Sequence, residues 1–205
     1  LYSSAASDVY KRQGTNGKTT SKELCHVVLS KKYKVTATKG NLNNHIGVPL
    51  SILSISTDTE IAIIEMGANH IGEINFLCSI TEPTHGVITN IGKAHLEGFG
   101  TVEGVIKTKT ELYKFLSKKG APIYIKDNQQ ILIDKLPLNC QVISYGQLKS
   151  STYKILSKGA QPFVKAKFGA TTIDSKLIGE YNFDNIALSI ACLLYTSPSP
   201  RDVEE

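Results

Sequence analysis

The chain has 205 residues, of which 41 % are hydrophobic and 20 % are charged, and its formal net charge is +5. This composition is typical of a globular protein and excludes an intrinsically disordered chain. The sequence has no apolar run of the roughly eighteen residues that span a bilayer and no basic stripe interleaved with aromatic residues, so we expect neither a membrane span nor nucleic acid as a partner.

Residues 1–13, LYSSAASDVYKRQ, contain only Val9 and Tyr10 as an apolar pair, and a phosphate-binding loop is normally preceded by a buried strand of about five apolar residues. We therefore predict that this strand is missing or poor. Residues 195–205, YTSPSPRDVEE, follow an apolar segment that stops abruptly. We interpret 1–13 and 195–205 as tails outside a domain spanning 14–194, and the chain as a fragment of a longer gene; natural flexible tails are the alternative.

The segment GTNGKTT at residues 14–20 has the residue types of a phosphate-binding loop. Gly14 and Gly17 let backbone N–H groups turn toward one point, Lys18 supplies charge, and the Thr19 hydroxyl can reach Mg²⁺. The general pattern has a further glycine where this chain has Arg12, so the match is to the shorter G-x-x-G-K-T. A glycine-rich turn between a strand and a helix is the alternative.

Apolar strands and helical segments alternate along the rest of the chain. Strands are predicted at 34–38, 61–66, 86–91, 122–126 and 141–145. Helices are predicted at 20–32, 48–55, 71–80, 102–118, 128–135 and 182–194. The pattern predicts an α/β fold of P-loop type, with a mostly parallel sheet flanked by helices and a small antiparallel edge region near 151–178.

Polar residues follow two of these predicted strands. Glu65 ends the apolar run 61–64, Asn90 ends the run 87–89, and His95 lies in the next loop. Ligands of open parallel sheets bind at the carboxyl ends of strands, where a carboxylate beside a phosphate loop is a natural Mg²⁺ ligand. A solvated glutamate and a surface histidine are the alternatives.

Lys109 falls on the apolar face of the predicted helix 102–118. Its phase is that of the hydrophobic positions 102, 105, 106, 112, 113 and 116, whereas the other lysines of the helix lie off that face. A lysine so placed must snorkel to the surface, find a partner, or change its charge state.

With these residues in place, the chain resembles the Mur ligases, the ATP-dependent amide-forming enzymes of peptidoglycan precursor synthesis. The resemblance is carried, in order, by GTNGKTT, KGNLNNHIGVP, EMGANHIGEI, ITNIGKAHLEGFG with KTKTELY, and GEYNFDNIALSIA. The sequences of the segments EMGAN and NIGKAHLEGFG are most similar to those of the family members that add D-alanyl-D-alanine. The resemblance covers the central, ATP-binding domain of a three-domain enzyme, and neither tail is family-like.

The resemblance implies roles for individual residues. Lys18 would hold the β- and γ-phosphates, Thr19, Glu65 and His95 would ligate Mg²⁺, and Lys109 matches the lysine that the family carbamoylates with CO₂ to orient a second Mg²⁺. We thus expect ATP, two Mg²⁺ ions and a carbamoylated Lys109 as cofactors, with Lys18, His95 and Lys109 as catalytic residues.

Further matches concern nucleotide and substrate contacts. The whole loop, Gly14, Thr15, Asn16, Gly17, Lys18, Thr19 and Thr20, would bind ATP. Asn182 and Asn185 match asparagines near adenine, although Tyr181 stands where the family often has histidine. The segment Asn43, Asn44 and His45 resembles a loop that lines the active site, and we predict that it contacts substrate.

The implied reaction transfers phosphate from ATP to the carboxylate of UDP-N-acetylmuramoyl-tripeptide, and D-alanyl-D-alanine then attacks the acyl phosphate. We expect a monomer in the bacterial cytoplasm. The four cysteines, Cys25, Cys78, Cys140 and Cys192, are dispersed and form no C-x-x-C pair, which is typical of reduced proteins of the cytosol. We also expect residues 1–205 alone to be inactive as a ligase. Three alternatives stay open: another ligase of the superfamily, such as folylpolyglutamate synthase, a P-loop nucleotide-binding module, or a non-functional reading-frame product.

Overall fold

A computed structural model of the chain describes residues 2–5, 17–92 and 101–197, with the backbone alone described for 2–5. The strands are β1 Tyr2–Ala5, β2 Val35–Ala37, β3 Ile61–Met66, β4 His85–Val87, β5 Ile123–Lys126, β6 Val142–Gly146, β7 Tyr153–Ala160, β8 Phe163–Phe168 and β9 Thr171–Ile178. The helices within the described residues are α1 Lys18–Leu29, α2 Gly47–Leu53, α3 Glu73–Thr81, α4 Val102–Lys109, α5 Glu111–Lys118, α6 Gln130–Ile133 and α7 Asn182–Thr196.

The strands form one nine-stranded sheet in the order β2-β3-β1-β4-β5-β6-β7-β8-β9. All neighbouring pairs from β2 to β7 are parallel, and the pairs β7–β8 and β8–β9 are antiparallel. The predicted α/β fold, with a parallel sheet and an antiparallel edge near 151–178, is therefore confirmed. Among the described helices, none is both long enough and apolar enough to cross a bilayer.

The strand before the phosphate loop, predicted to be missing or poor, is present as the short strand β1. Strand β1 pairs in parallel with β3 on one side, where Tyr2 is opposite Ile63, and with β4 on the other, where Tyr2 is opposite His85. Its sequence, YSSA, lacks the apolar run that marks a buried strand. Backbone hydrogen bonds from two flanking strands fix its place, which residue propensity alone does not reveal.

The two faces of the sheet carry separate hydrophobic cores, and β3 contributes to both because side chains alternate along a strand. Ile61 and Ile63 face the core beneath α1 and α7. Ala62, Ile64 and Met66 face the opposite core, which packs against α2, α3 and α5. Glu65 has the parity of Ile61 and Ile63, so its carboxylate is directed to the face that carries α1.

The predicted helix 102–118 is two helices, α4 and α5, separated at Thr110. The hydroxyl of Thr110 donates to the carbonyl of Ile106 at 2.8 Å, and that of Thr108 donates to the carbonyl of Gly104 at 2.9 Å. Hydroxyls bonded back to the preceding turn compete with the helical ladder and bend helices. Val102, the first residue of α4, is 44 % exposed, whereas the other hydrophobic members of the predicted apolar face are buried.

Other predicted boundaries also differ from the observed ones, among them the ends of β4 and α7. Strand β4 ends at Val87 rather than 91, so Thr89 and Asn90 lie in the loop beyond the strand. Helix α7 continues to Thr196 rather than 194, because Tyr195 packs its ring against His85 and Tyr124, with ring centroids 5.4 and 5.9 Å apart.

Candidate active site

The candidate site begins at the N-terminus of α1. Gly17 has a φ of 141°, a conformation that glycine adopts far more readily than other residues, and the helix starts at Lys18. Among the described residues, no side chain caps this end and no acidic residue lies in the first turn. The end of the helix dipole therefore favours an anion here. Three predicted loop residues, Gly14, Thr15 and Asn16, lie outside the described residues.

A buried carboxylate lies directly below this helix end. Glu65, at the carboxyl end of β3, is 1 % exposed. Its Oε2 accepts a hydrogen bond from the Thr19 hydroxyl at 3.1 Å, and its Oε1 accepts one from the Asn43 side-chain amide at 2.8 Å. Its backbone N–H donates to the hydroxyl of Thr38 at 2.9 Å. Each carboxylate oxygen is thus held by a different segment of the chain.

The Thr19 hydroxyl and the Glu65 carboxylate fit a Mg²⁺ ion. Octahedral Mg²⁺ bonds oxygen at about 2.1 Å, which places neighbouring oxygens about 3.0 Å apart, close to the observed 3.1 Å. Among the described residues, no group of three or more histidine, cysteine or acidic side chains could hold a metal. The arrangement therefore suits an ion that also takes oxygens from a nucleotide, as Mg²⁺ does in phosphate-transferring enzymes.

An open cleft of about 370 Å³ contains these groups. It is lined by Gly17, Lys18, Thr19, Thr20, Asn41, Asn43, Glu65, Leu177, Tyr181 and Asn182. We call it the phosphate cleft. The structure thus brings together the described part of the predicted loop, the predicted acid Glu65, and Asn182 from α7.

A second cleft, of about 360 Å³, adjoins the first and shares Asn41 and Asn43 with it. It is lined by Asn41, Leu42, Asn43, Asn44, His45, Gly67, Ala68, Asn69, His70, Glu73, Phe76 and Leu77. We call it the side cleft. Two of the three predicted substrate residues differ in their contacts within the side cleft. Asn44 Oδ1 accepts hydrogen bonds from the N–H groups of Ile46 and Gly47 at the start of α2. The side chain of His45 is exposed.

Lys109 is buried, as its helical phase predicts, and is 2 % exposed. Its Nζ donates to the backbone carbonyl of Asn90 at 3.0 Å. Asn90 lies just beyond the carboxyl end of β4, and β4 pairs with β1, the strand before the phosphate loop. Lys109 is therefore placed at the same edge of the sheet as Glu65. The predicted ligand His95 lies outside the described residues.

Asn182 and Asn185 connect α7 to α1. Asn185 Oδ1 accepts the Ser21 hydroxyl at 3.0 Å, and Asn185 Nδ2 donates to Asn182 Oδ1 at 2.9 Å. A Cβ atom added at Gly17 would lie 2.9 Å from Asn185 Oδ1. Asn182 lines the phosphate cleft. Asn185 does not line this cleft, and its side chain packs closely against Gly17 at the start of α1.

Lys22 is a buried charged residue at this site that the sequence analysis missed. It is 1 % exposed, and its Nζ donates to the carbonyls of Thr38 at 2.6 Å and Gly40 at 3.0 Å. Lys22 has the helical phase of Cys25 and Leu29, both buried. The phase argument that singled out Lys109 would therefore have identified it.

Two acidic residues of the motifs stabilise the loop between β3 and α3. Glu111 accepts the N–H groups of Gly72 at 2.7 Å and Asn75 at 3.0 Å, which caps the start of α3 from α5. Glu73 accepts the N–H groups of Asn69 at 2.6 Å and His70 at 3.2 Å. The position of Glu73 in the motif EMGANHIGEI is thus explained by its hydrogen bonds to the backbone of the same motif, which stabilise the fold.

Comparison with known proteins identifies the family of this chain. Residues 13–193 match the Mur ligase middle domain family. The chain is 36 % identical, over 193 residues, to the UDP-N-acetylmuramoyl-tripeptide--D-alanyl-D-alanine ligase of Bacillus subtilis, covering 92 % of this chain and 41 % of that protein.

Two solved structures have the same fold. MurF from Acinetobacter baumannii superposes with a TM-score of 0.79 at 27 % identity, covering 98 % of this chain and 44 % of that one. MurF from Thermotoga maritima, in complex with ADP, gives 0.78 at 30 % identity, covering 98 % and 47 %. The chain thus spans less than half the length of these relatives. It belongs to the Mur ligase family, whose middle domain its residues 13–193 match.

Proposed function

We propose that this chain is the ATP-binding part of a ligase that joins D-alanyl-D-alanine to UDP-N-acetylmuramoyl-tripeptide at the expense of ATP. The proposal is supported by relatives of that name at 30–36 % identity over most of the chain. The observation that carries it is the contact of Thr19 with Glu65 beneath the N-terminus of α1. It supports the proposal because a hydroxyl and a carboxylate suited to Mg²⁺ lie in the same cleft as the helix end and Lys18, which we propose to bind phosphate.

In the proposed reaction, a carboxylate oxygen of the tripeptide attacks the γ-phosphorus of ATP, and the bond to the β–γ bridging oxygen breaks to release ADP. The amine of D-alanyl-D-alanine then attacks the acyl carbon, phosphate leaves, and the amine loses a proton. The side cleft suits the acceptor carboxylate, because Asn41 and Asn43 form a wall common to it and the phosphate cleft.

The residues of the chain contribute positioning and charge rather than covalent chemistry. Lys18 and the start of α1 oppose the negative charge of the β- and γ-phosphates. Thr19 and Glu65 hold a Mg²⁺ ion, and His95 is proposed as a further ligand. When bound, the two expected Mg²⁺ ions neutralise charge on the phosphoryl group. Asn182, on the wall of the phosphate cleft, is proposed to lie near the adenine or ribose.

Lys109 is proposed to carry a carbamate. Its neutral amine would attack CO₂, form a nitrogen–carbon bond and release a proton to solvent, which converts a cation into an anion able to ligate a second Mg²⁺. Burial of the side chain and its place at the carboxyl edge of the sheet support this modification. We further propose a monomer that works in the bacterial cytoplasm.

The full-length protein tests the ligase proposal. Purified enzyme with Mg·ATP, UDP-N-acetylmuramoyl-tripeptide and D-alanyl-D-alanine is expected to form ADP, phosphate and the pentapeptide product in equal amounts, measured by mass spectrometry and phosphate assay. Competition with folate and with single amino acids distinguishes the other ligases of the superfamily. Binding of Mg·ATP without amide formation from any acceptor would contradict the proposal and favour a nucleotide-binding module.

The Lys109 modification has its own test. Lys109→Ala is expected to lower the turnover number at least about a hundredfold, and added short-chain carboxylic acids, which can occupy the place of a carbamate, are expected to restore part of it. Lys107→Ala, a change in the same helix but off its buried face, is the matched control. Failure of every carboxylic acid to restore activity in a folded Lys109→Ala protein would count against the carbamate.

A further inference from the structure

The buried ammonium of Lys22 is the strongest feature of the site to which neither the sequence motifs nor the proposed reaction gives a role. Its side chain has no solvent exposure. The Nζ donates to the carbonyls of Thr38 and Gly40, and lies 3.1 Å from Glu23 Oε1 and 3.9 Å from Glu65 Oε2. A buried charge is tolerated only where such partners replace water, so its position is closely defined.

The two carbonyls that Lys22 binds belong to the segment between β2 and the clefts. This segment continues to Asn41 and Asn43, which line both clefts, and Asn43 holds one oxygen of Glu65. The hydroxyl of Thr38, in the same segment, accepts the backbone N–H of Glu65. Lys22 therefore joins α1, which carries Lys18 and Thr19, to the chain segment that orients the opposite side of the metal site.

We propose that Lys22 is a positioning residue of the Mg·ATP site, acting through the 38–43 segment on Glu65 and Asn43. This inference rests on the proposed function, because it concerns the same cleft. Lys22 does not line either cleft and so would not touch the nucleotide. Its role is to hold the second layer of the site in the geometry that Mg²⁺ and phosphate require. Residues of this layer typically change metal affinity by about 10–100-fold when they are replaced.

Because Lys22 is charged, the direction in which Mg²⁺ affinity changes when Lys22 is replaced tests the proposal. A cation 3.9 Å from Glu65 repels Mg²⁺, so if charge alone mattered, removing it would strengthen Mg²⁺ binding. If positioning dominates, removal weakens Mg²⁺ binding despite the lost repulsion. The two effects on Mg²⁺ binding have opposite directions. A loss of stability would also weaken binding, so it is measured separately.

The experiment uses the full-length protein and measures ATP binding by calorimetry as a function of Mg²⁺ concentration. Lys22→Met is expected to weaken Mg²⁺ binding, which raises the apparent dissociation constant for Mg²⁺ about tenfold. Lys22→Arg, which keeps charge and donors, is expected to stay within about threefold of the wild type. Lys126→Met is the matched control, since Lys126 is a partly buried lysine in an ion pair with Asp184, 2.6 Å away, and lines neither cleft.

Thermal unfolding of every variant without ligand separates stability from binding. If Lys22→Met does not fold, Lys22→Gln, whose neutral amide keeps N–H donors for the carbonyls, takes its place with the same expected direction. A folded Lys22→Met or Lys22→Gln protein with unchanged or tighter Mg²⁺ binding would overturn the positioning role while leaving the ligase proposal intact. Absence of Mg·ATP binding by the wild type would overturn both.

Discussion

The Thr19 hydroxyl donates to Glu65 Oε2 at 3.1 Å, although the two residues are 46 positions apart in the sequence. The first belongs to the helix that follows the phosphate loop, and the second to the carboxyl end of a neighbouring strand. Their contact brings a hydroxyl and a carboxylate together beside the start of α1, and for this reason we propose that both hold the same Mg²⁺ ion.

Glu65→Gln is expected to weaken Mg²⁺ binding at the proposed site without unfolding the protein. The amide oxygen of the glutamine can still accept from Asn43, and its amide nitrogen can donate to the Thr19 hydroxyl oxygen, but the negative charge that attracts Mg²⁺ is lost. Replacing a residue that only supports a metal ligand weakens metal binding at least about tenfold. Because Glu65 is proposed to be a ligand itself, we expect a larger loss in the Mg²⁺-dependent ATP binding of the full-length protein. Titration calorimetry measures it. Glu82→Gln, at an exposed ion pair with Lys119, should leave the binding unchanged.

Gly17→Ala is expected to destabilise the protein and to weaken nucleotide binding. The alanine would need an unfavourable φ of 141°, and its Cβ would lie 2.9 Å from Asn185 Oδ1, which is held by Ser21. We expect a loss of at least about 2 kcal/mol in the free energy of unfolding. Gly120→Ala is the control, because it also has a positive φ, 64°, but no atom lies within 4 Å of its added Cβ.

The control separates two effects. Gly120→Ala should cost about 1 kcal/mol, from backbone conformation alone, and should not change ATP binding. Urea denaturation gives both free energies. Equal losses for the two variants, with unchanged binding in both, would mean that the close approach of Gly17 to Asn185 has no importance for the site.

Glu111→Ala is expected to lower the free energy of unfolding by about 1 kcal/mol, because the first N–H groups of α3 lose their acceptor and the helix dipole loses a negative charge. Glu103→Ala removes an exposed ion pair with Lys135 and should cost less than about half of this. Urea denaturation at low and high salt compares them. A Glu111 effect no larger than that of Glu103 would contradict the capping role.

His85 is expected to make the stability fall as the solution is acidified. Burial lowers the pKa of its imidazole from 6.5 to about 4. Between these values the unfolded chain binds the proton and the folded chain does not, so the free energy of unfolding decreases as the pH falls from about 6.5 to about 4. Because the ring is partly exposed, we expect about 2 kcal/mol from this residue rather than the full amount implied by the shift.

Denaturation curves of the wild type and His85→Phe at several pH values measure this effect. Phenylalanine can keep the ring contacts with Tyr124 and Tyr195 but cannot take up a proton. The difference in free energy between the two proteins should change across this pH range, whereas the contribution of the carboxylates is common to both. A constant difference would refute the assignment to His85.

The sequence predicted the parts of the site that lie on regular elements. Strand β3 was predicted with its observed bounds, and the position of Glu65 at its end followed from the run of apolar residues. The burial of Lys109 followed from helical phase, since periodicity reports the buried face directly.

The sequence could not predict features that depend on distant partners. Strand β1 has a polar sequence and exists because β3 and β4 provide hydrogen bonds on both sides. Asn185 supports Gly17 through a contact across 168 residues of chain, and Glu111 caps a helix that starts 38 residues before it. No local pattern contains this information, because these contacts are created by the topology of the sheet.

The alternation along β3 limits how this part of the chain can change length. Losing one residue within Ile61–Ile64 would bring the carboxylate to the face packed against α3 and expose the neighbouring apolar residues to the nucleotide. Deletion of two residues would keep the carboxylate of Glu65 on the same face of the sheet. Length variation among homologues should therefore avoid single deletions here, and an engineered insertion in this strand should be made in pairs.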